Sequence, residues 1–262
     1  MLHLKHIQAA YRWKQLMGTP YTYIPFVSPV YRFLRRLWRR FLFRGNNVFC
    51  PVCNHTFDRW VQKKRYGNCP LCGSGARHRL LVLVLQNENI TQNAHRILHF
   101  APGWGIQRWF ARMSVEYITT DLSAPNVDVH TDITKMKFPR DRFDLIICSH
   151  VLEHIPRDRA AIAEMYRVLA TEGLAIIMVP WRGGQPTDED ESVQDPVERQ
   201  RRFGQFDHVR IYGFDFVDRV RSAGFKVRTI MSDKIGAPPE YGIFDMPVFI
   251  CTKPVINNRV PD

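Results

Sequence analysis

Short apolar runs alternate with helical patterns from residue 97 to residue 253, and this alternation constrains the fold more than any other feature. Runs such as EYITTDL, FDLIICS and GLAIIMVP have the composition of buried strands, and segments with helical spacing of apolar residues separate them. Strands that alternate with helices form a parallel sheet covered by helices on both faces. We therefore predict an α/β fold with a Rossmann-like sheet of seven strands.

Polar residues and glycines fall at the predicted carboxyl ends of four strands, which is where α/β folds bind their ligands. They are Gly103, Gly105, Asp121, Asp132, Ser149 and His150. An acid that ends the second strand suits the hydroxyls of a ribose, and Asp132 suits an adenine amino group. Each acid taken alone is more typical of a turn or a helix cap than of a ligand.

Three segments, ILHFAPGWG, FDLIICSHVLEHI and RVLATEGLAIIMVP, together with Asp121 and Asp132, resemble the class I S-adenosylmethionine-dependent methyltransferases over about residues 97–253. The resemblance implies a seven-stranded sheet whose last strand is antiparallel, and S-adenosylmethionine as the cofactor. It also implies that glycines pass the methionine portion, that Asp121 holds the ribose and that Asp132 lies at the adenine. The implied cofactor residues are Ala101, Gly103, Gly105, Asp121, Asp132, Ile133, Ser149 and His150.

The first loop departs from the family pattern at three positions. His99 stands where an acid is usual, Ala101 stands where the first glycine is usual, and Pro102 follows it. Proline removes a backbone donor and stiffens the loop. These departures leave open an alternative in which the chain is a non-catalytic, cofactor-binding adaptor.

Four of the six cysteines form two C-x-x-C pairs, Cys50 with Cys53 and Cys69 with Cys72. Pairs at this separation can place four thiolates around one tetrahedral zinc ion. Four protein ligands leave no position for water, so we predict a structural zinc ribbon. Four reduced thiols in a small core are the simpler alternative.

The amino-terminal part of the chain is strongly basic. Residues 1–96 contain 16 basic and two acidic side chains, whereas the remainder contains 21 basic and 23 acidic ones. Within residues 31–44, Leu34, Leu37, Trp38 and Phe41 share one helical face, and arginines occupy the other. Such a helix suits an anionic membrane surface, nucleic acid, or the body of the protein itself. We expect a cytoplasmic protein that is peripheral on the inner face of the membrane.

The segment QRRFGQFDHVRIYG supplies a second group of chemical candidates, Asp207 and His208. Methyl transfer to a hydroxyl requires removal of a proton, and a histidine titrates near neutral pH. We therefore predict that His208 acts as a base with Asp207 beside it. The alternative for His208 is a loop histidine bonded to backbone. The segment also resembles one found in bacterial methyltransferases of surface-sugar pathways.

The pattern His150-x-x-Glu153-His154 matches a zinc-peptidase motif, which requires both histidines on one helix. Here a predicted strand precedes His150 and Pro156 follows, so we expect a loop that Glu153 and His154 brace.

We predict three regions: a basic amino-terminal segment (1–47), a zinc ribbon (48–80) and a methyltransferase domain (81–262). The predicted reaction is O-methylation of a glycan, a lipid-linked sugar or another small molecule. Methylation of ribosomal RNA is the enzymatic alternative, because the basic charge also suits phosphate.

Overall fold

A computed structural model describes residues 29–63 and 66–255, without the side chains of residues 29–33 and Lys63. Residues 1–28, which include Pro20 and Pro25 of the predicted basic segment, lie outside the described residues.

The described chain contains helices and strands in the alternation that the sequence predicts. The helices are α1 (Pro29–Leu42), α2 (Ala76–Asn87), α3 (Trp104–Phe110), α4 (Asp158–Val168), α5 (Pro196–Phe203) and α6 (Phe216–Arg221). The strands are β1 (Val48–Cys50), β2 (His55–Phe57), β3 (Arg96–Phe100), β4 (Glu116–Asp121), β5 (Val129–His130), β6 (Phe143–Ser149), β7 (Leu169–Met178), β8 (Asp188–Glu189), β9 (Arg210–Ile211), β10 (Lys226–Met231) and β11 (Pro247–Thr252).

Seven of these strands form the central sheet in the order β10-β11-β7-β6-β3-β4-β5. The pairs β3–β4, β4–β5, β3–β6 and β6–β7 are parallel, and β11 is antiparallel to both of its neighbours. The α/β class and the seven-stranded Rossmann-like sheet are thus confirmed. The chain leaves β3 toward β4 on one side and later toward β6 on the other, so a topological switch point lies between β3 and β6.

The chain divides into two compact units. The first comprises the described part of Met1–Asn89, together with Gly103–Met113 and Ser232–Asp245. The second comprises Ile90–Pro102, Ser114–Met231 and the described part of Met246–Asp262. The regional boundaries at residues 47 and 80 stay predictions.

The core of the second unit lies against the middle of the sheet. Alternate side chains of β6 and β7 pack against apolar residues of α4 and α6, as their periodicities require. Buried residues of this core include Ile146, Cys148, Ile162, Ile177 and Phe216.

The first unit is organised around the cysteine pairs and the buried Arg79 of α2. The Arg79 guanidinium donates to the carbonyl oxygens of Gly67, Ser74, Tyr241 and Gly242. It also stacks on the Trp60 ring, 3.9 Å from the ring centroid. A single side chain therefore joins three separate stretches of this unit.

The acidic stretch TDEDES (187–192) differs from the exposed loop that its composition suggests. Asp188–Glu189 forms β8, which pairs with β9. Arg202 of α5 binds both Asp188 and Asp190 at 2.7 Å. Composition alone does not indicate this pairing, because the ionic partners of these acids lie 12 or more residues away, beyond the reach of a local pattern.

No helix among residues 29–63 and 66–255 is long and apolar enough to cross a bilayer.

Candidate active site and metal centre

The carboxyl ends of the central parallel strands bring most of the predicted cofactor residues to one edge of the second unit. Asp121 ends β4, Ser149 ends β6, and Ala101 directly follows β3. In α/β sheets, ligands bind at this edge, beside the switch point. Gly103 and Gly105 belong to the first unit, where Gly103 is the N-cap of α3.

Asp121 and Asp132 both form local turns through one carboxylate oxygen. Asp121 Oδ1 accepts from the backbone of Ser123 and Ala124, at 2.8 and 2.9 Å. Asp132 Oδ1 accepts from the backbone and hydroxyl of Thr134, both at 2.8 Å. Ile133, next to Asp132, is buried. Both aspartates therefore stabilise local turns. That Asp121 binds the ribose and Asp132 lies at the adenine stays a prediction.

Two residues at this edge have left-handed backbone conformations although neither is glycine. Ala101 has φ 45° and His150 has φ 56°. For residues with a Cβ atom this conformation costs about 1–2 kcal/mol, and it recurs at functional sites. Ala101 occupies the position where the resemblance expects glycine, which is the residue best suited to this backbone.

His99 is buried within β3, and its Nδ1 lies 2.8 Å from the hydroxyl of Tyr117. Burial lowers the pKa of His99 to about 3, so its imidazole is neutral at physiological pH. A neutral histidine inside the sheet cannot replace the carboxylate that the family pattern places here. The sequence placed His99 correctly in the strand but did not reveal its partner.

The loop after β6 holds Glu153 and His154 in a short 3-10 turn, Leu152–His154, as the sequence expects of a loop after a strand. The Glu153 carboxylate is fully buried, and its Oε1 lies 3.2 Å from Nδ1 of His150. Burial alone would raise the pKa of Glu153, and the imidazoles of His150 and His154 hold that pKa below its ordinary value. His150 and His154 do not share a helix, which excludes the peptidase arrangement of this motif.

His208 lies against this loop. Its Nδ1 is 3.0 Å from the carbonyl oxygen of Phe203, and its Nε2 is 3.9 Å from Oε1 of Glu153. The rings of His154 and His208 meet edge to face, with centroids 4.7 Å apart. Asp207 does not contact His208 in these bonds; its Oδ2 lies 3.4 Å from Nδ1 of His154. Asp207 and His208 therefore both lie beside His154 and Glu153. Asp207 contacts His154, whereas His208 lies against both residues.

Arg210 holds the backbone of this loop, and sequence reasoning missed it. Its guanidinium donates to the carbonyl oxygens of Leu152, Ile155 and Pro156, and Nε donates to Glu189 at 2.8 Å. The Arg219 guanidinium also binds Glu189 and lowers the pKa of that carboxyl to about 2. The sequence does show an acidic stretch before α5 and arginines after it. Only the fold shows that Glu189 of that stretch pairs with Arg210 and Arg219.

The four cysteines of the two C-x-x-C pairs converge in the first unit. All four are buried and unbridged, with Sγ atoms 3.7 Å apart for Cys50–Cys72 and 3.6 Å apart for Cys53–Cys69. Four thiolates at about 2.3 Å from a zinc ion are about 3.8 Å from one another. The backbone amide of Cys72 donates to Cys69 Sγ at 3.5 Å. The donor set and its spacing therefore fit tetrahedral zinc.

Gly105 approaches the second cysteine pair closely. A Cβ atom at this position would lie 2.3 Å from Ser74 Oγ and 3.0 Å from the Cys72 carbonyl oxygen. A larger residue here would therefore displace the Ser74 side chain and press on the Cys72 carbonyl, independently of any cofactor.

Residues 98–177 match the profile of a family described as "Methyltransferase domain". The matched range contains the strand-end acids and the loop of Glu153 and His154. The chain carries a class I S-adenosylmethionine-dependent methyltransferase domain. S-adenosylmethionine is accordingly its cofactor.

Solved structures resemble this methyltransferase domain at low identity. The [4+2]-cyclase SpnF is 12% identical, with a TM-score of 0.50 over 75% of this chain and 86% of that chain. YcgJ from Bacillus subtilis is 17% identical, with a TM-score of 0.45 over 66% and 97%. The 1,6-didemethyltoxoflavin-N1-methyltransferase of Burkholderia thailandensis, with bound S-adenosylhomocysteine, is 14% identical, with a TM-score of 0.46 over 67% and 76%. At such identity the likeness to SpnF shows the fold alone. No curated protein matches the chain significantly.

Proposed function

We propose that this methyltransferase transfers its methyl group to a hydroxyl oxygen of a small molecule, a glycan or a lipid-linked sugar. The observation that carries the proposal is the position of His208. Its Nδ1 donates to the Phe203 carbonyl oxygen, so the lone pair of the neutral ring lies on Nε2, on the side of Glu153 and His154. An imidazole nitrogen that keeps its lone pair can receive the proton of an acceptor hydroxyl.

In this reaction the acceptor oxygen attacks the methyl carbon as the sulfur–carbon bond of the cofactor breaks. The products are an O-methyl ether, S-adenosylhomocysteine and the hydroxyl proton, which His208 accepts. Orientation of the two reactants supplies much of the rate. Asp207 is proposed as a positioning residue, which acts on this cluster through its contact with His154.

The proposed cofactor site uses Ala101, Asp121, Asp132 with Ile133, and Ser149 with His150. Gly103 and Gly105, which follow Ala101 in the chain, stay proposed cofactor residues as well. The test of the proposed cofactor site is calorimetric titration with S-adenosylhomocysteine. We expect Asp121→Asn to weaken binding by tenfold or more, because the ribose hydroxyls lose a charged acceptor. The control is Asp218→Asn, whose side chain is 79% exposed on α6. Absence of binding at millimolar ligand would favour the adaptor alternative.

The acceptor class is tested with S-adenosylmethionine labelled in its methyl group. We expect label in free sugars or in a butanol-extractable lipid-linked sugar fraction, and at least a 100-fold lower rate for His208→Ala. Label that becomes soluble after ribonuclease treatment would support RNA methylation, which the basic residues 1–96 favour. Full turnover of His208→Ala with the true acceptor would exclude His208 from the chemistry.

We also infer that Cys50, Cys53, Cys69 and Cys72 bind one structural zinc ion. The fit of their sulfur spacing to a zinc tetrahedron supports this. We expect elemental analysis to find about one zinc per chain bound through thiolates, and chelation to lower the melting temperature. Purified protein with four freely titratable thiols and no such zinc would contradict the inference.

Helix α1 is proposed to bind an anionic membrane surface. Trp38 is 59% exposed and Phe41 is 70% exposed, whereas Arg35 and Arg39 are half-buried. An exposed aromatic face among arginines suits the interface of an anionic leaflet. The side chain of Arg32, predicted for the basic face, lies outside the described residues.

A further inference from the structure

The loop after β6 and the segment before β9 bring together three side chains with metal-binding atoms. Glu153, His154 and His208 each contribute one ligand atom, and these atoms all lie within 4.8 Å of one another. Glu153 and His208 are buried, and His154 is half-buried. Two histidines and a carboxylate form a recurrent ligand set for divalent transition metals.

The Glu153 carboxylate is only partly compensated by its neighbours, the nearest of which is His150 Nδ1, 3.2 Å from Oε1. Within the part of the chain that the structure describes, neither of its oxygens accepts a hydrogen bond. A buried carboxylate that accepts no hydrogen bond is costly, and buried charges are normally fully paired or bound to a metal. The carboxylate therefore calls for positive charge at its oxygens.

The two imidazoles are oriented as metal ligands usually are. Nδ1 of His208 faces the carbonyl oxygen of Phe203 at 3.0 Å. Nδ1 of His154 faces the carbonyl oxygen of Asp207 at 3.3 Å and its carboxylate at 3.4 Å. Both Nδ1 atoms face acceptors only in these contacts, so they carry the protons and both Nε2 atoms keep lone pairs. Hydrogen bonding of one ring nitrogen to a carbonyl or carboxylate is typical of histidines that bind metal through the other.

We propose that Glu153, His154 and His208 bind a divalent transition-metal ion. Ligand atoms about 2.1 Å from a metal are roughly 3–3.5 Å apart, so the cluster closes by about 1 Å on binding. Three protein ligands leave coordination positions for an oxygen of water or substrate. Nitrogen and oxygen donors accommodate manganese, iron, cobalt or zinc, whereas the thiolates of the cysteine site favour softer ions and bind manganese poorly.

The catalytic part of this inference rests on the proposed O-methylation. A metal ion held by these three residues would lower the pKa of an acceptor hydroxyl at the cluster. The proton of that hydroxyl would pass to water as its oxygen attacks the methyl carbon and the sulfur–carbon bond of the cofactor breaks. His208 then acts as a ligand and is no longer the direct proton acceptor. Asp207 is a positioning residue in this arrangement, because it orients His154.

The test uses full-length protein whose cysteine site is loaded with zinc, titrated with Mn²⁺ and followed by electron paramagnetic resonance of free Mn²⁺. We expect one Mn²⁺ per chain. His154→Ala and His208→Ala should each weaken binding by at least 100-fold, and Asp207→Asn by about 10–100-fold. The exposed His95 provides the control, since His95→Ala should bind Mn²⁺ as the unmodified protein does. Binding of S-adenosylhomocysteine by each variant reports its fold.

A second measurement does not depend on the stability of any variant. Co²⁺ added to the zinc-loaded protein should give weak visible bands of nitrogen and oxygen coordination, without the intense absorption of cobalt thiolates. Absence of Mn²⁺ and Co²⁺ binding at millimolar concentrations, in protein that binds S-adenosylhomocysteine, would overturn the proposal and leave an imidazolium as the partner of Glu153. Equal Mn²⁺ binding by His208→Ala would overturn it as well.

The outcomes separate this inference from the proposed function. Mn²⁺ binding at the cluster without methyl transfer to any hydroxyl would retain the metal site and reject O-methylation. Full methyl transfer after complete removal of the metal from the cluster would reject the catalytic role of the ion.

Discussion

The imidazole of His99 shows how a single buried group can make stability depend on pH. Its pKa is about 3 in the folded chain, because of burial, and about 6.5 in an unfolded one. Only the neutral imidazole of His99 fits the folded chain, so its contribution to the unfolding free energy is fully present above pH 6.5. Protonation of the unfolded chain removes stability as the pH falls from about 6.5 toward 3.

We therefore predict that unmodified protein loses up to about 1.4 kcal/mol of unfolding free energy per pH unit below 6.5 relative to His99→Gln. The difference between the two proteins cancels the other titrating groups. Urea denaturation at pH 7.5, 6 and 5 measures it. A difference that stays constant across this range would show that His99 is not buried in its neutral form.

Ala101 illustrates how the first loop accommodates a departure from the family pattern. Its φ of 45° favours glycine, but glycine also has more freedom in the unfolded chain. We predict that Ala101→Gly raises the unfolding free energy by at most about 1 kcal/mol, because the greater freedom of glycine in the unfolded chain offsets the relief of backbone strain. Ala101→Val should destabilise the protein clearly, since a β-branched residue disfavours this conformation. Urea denaturation that ranks valine equal to glycine would contradict the left-handed backbone.

Other residues at the candidate site were partly predictable from sequence. The positions of Asp121 and Asp132 at strand ends followed from strand periodicity alone. Their turn bonds could be expected from the general preferences of aspartate. The contact between Asp207 and His154 could not, because 53 residues separate the two in the chain.

At the scale of elements, the packing of Gly105 in α3 against the second cysteine pair yields a prediction. Gly105→Ala would place a Cβ atom 2.3 Å from Ser74 Oγ, and overpacking of this kind costs typically about 1–3 kcal/mol. We expect a lower melting temperature and faster release of zinc to a chromogenic chelator. The control is Gly184→Ala, whose Cβ atom would meet nothing within 4 Å. Equal behaviour of both variants would show that Gly105 is not constrained by this contact.

The elements themselves divide into those that local signals specify and those that need distant partners. Helix α5 has local signals: Asp195 caps it by accepting from Val197, Pro196 begins it, and Gly204 ends it with φ 86°. Strands β8 and β9 have only two residues each, too few to show a period. They depend instead on the ion pairs of Glu189 with Arg210 and Arg219.

At the scale of the whole molecule, the uneven distribution of charge leads to a prediction about membranes. We expect the protein to float with vesicles that contain anionic lipid, and to be released by high salt because screening weakens its attraction to the lipid. Trp38→Ser with Phe41→Ser should reduce the bound fraction severalfold, since the aromatic anchors are lost. Val197→Ser, at a position that is 75% exposed in the second unit, is the matched control.

Flotation that is equal for the aromatic double variant and the Val197→Ser control would exclude α1 as the membrane anchor. Salt-sensitive retention on RNA without flotation would assign the basic surface to nucleic acid.

The sequence by itself determined the fold class, the order of strands and helices along the chain and the placement of polar residues at strand ends. These depend on local periodicity, which a chain carries wherever it folds. It also predicted the four-thiol ligand set, because both pairs have the spacing that metal binding requires. Tertiary structure alone decided which polar groups meet. Within the described residues neither carboxylate oxygen of Glu153 accepts a hydrogen bond, His208 faces this carboxylate, and Arg210 holds the loop. These groups meet because segments about 55 residues apart fold against each other. Contacts at such separations depend on packing and charge pairing in three dimensions, and no local pattern records them.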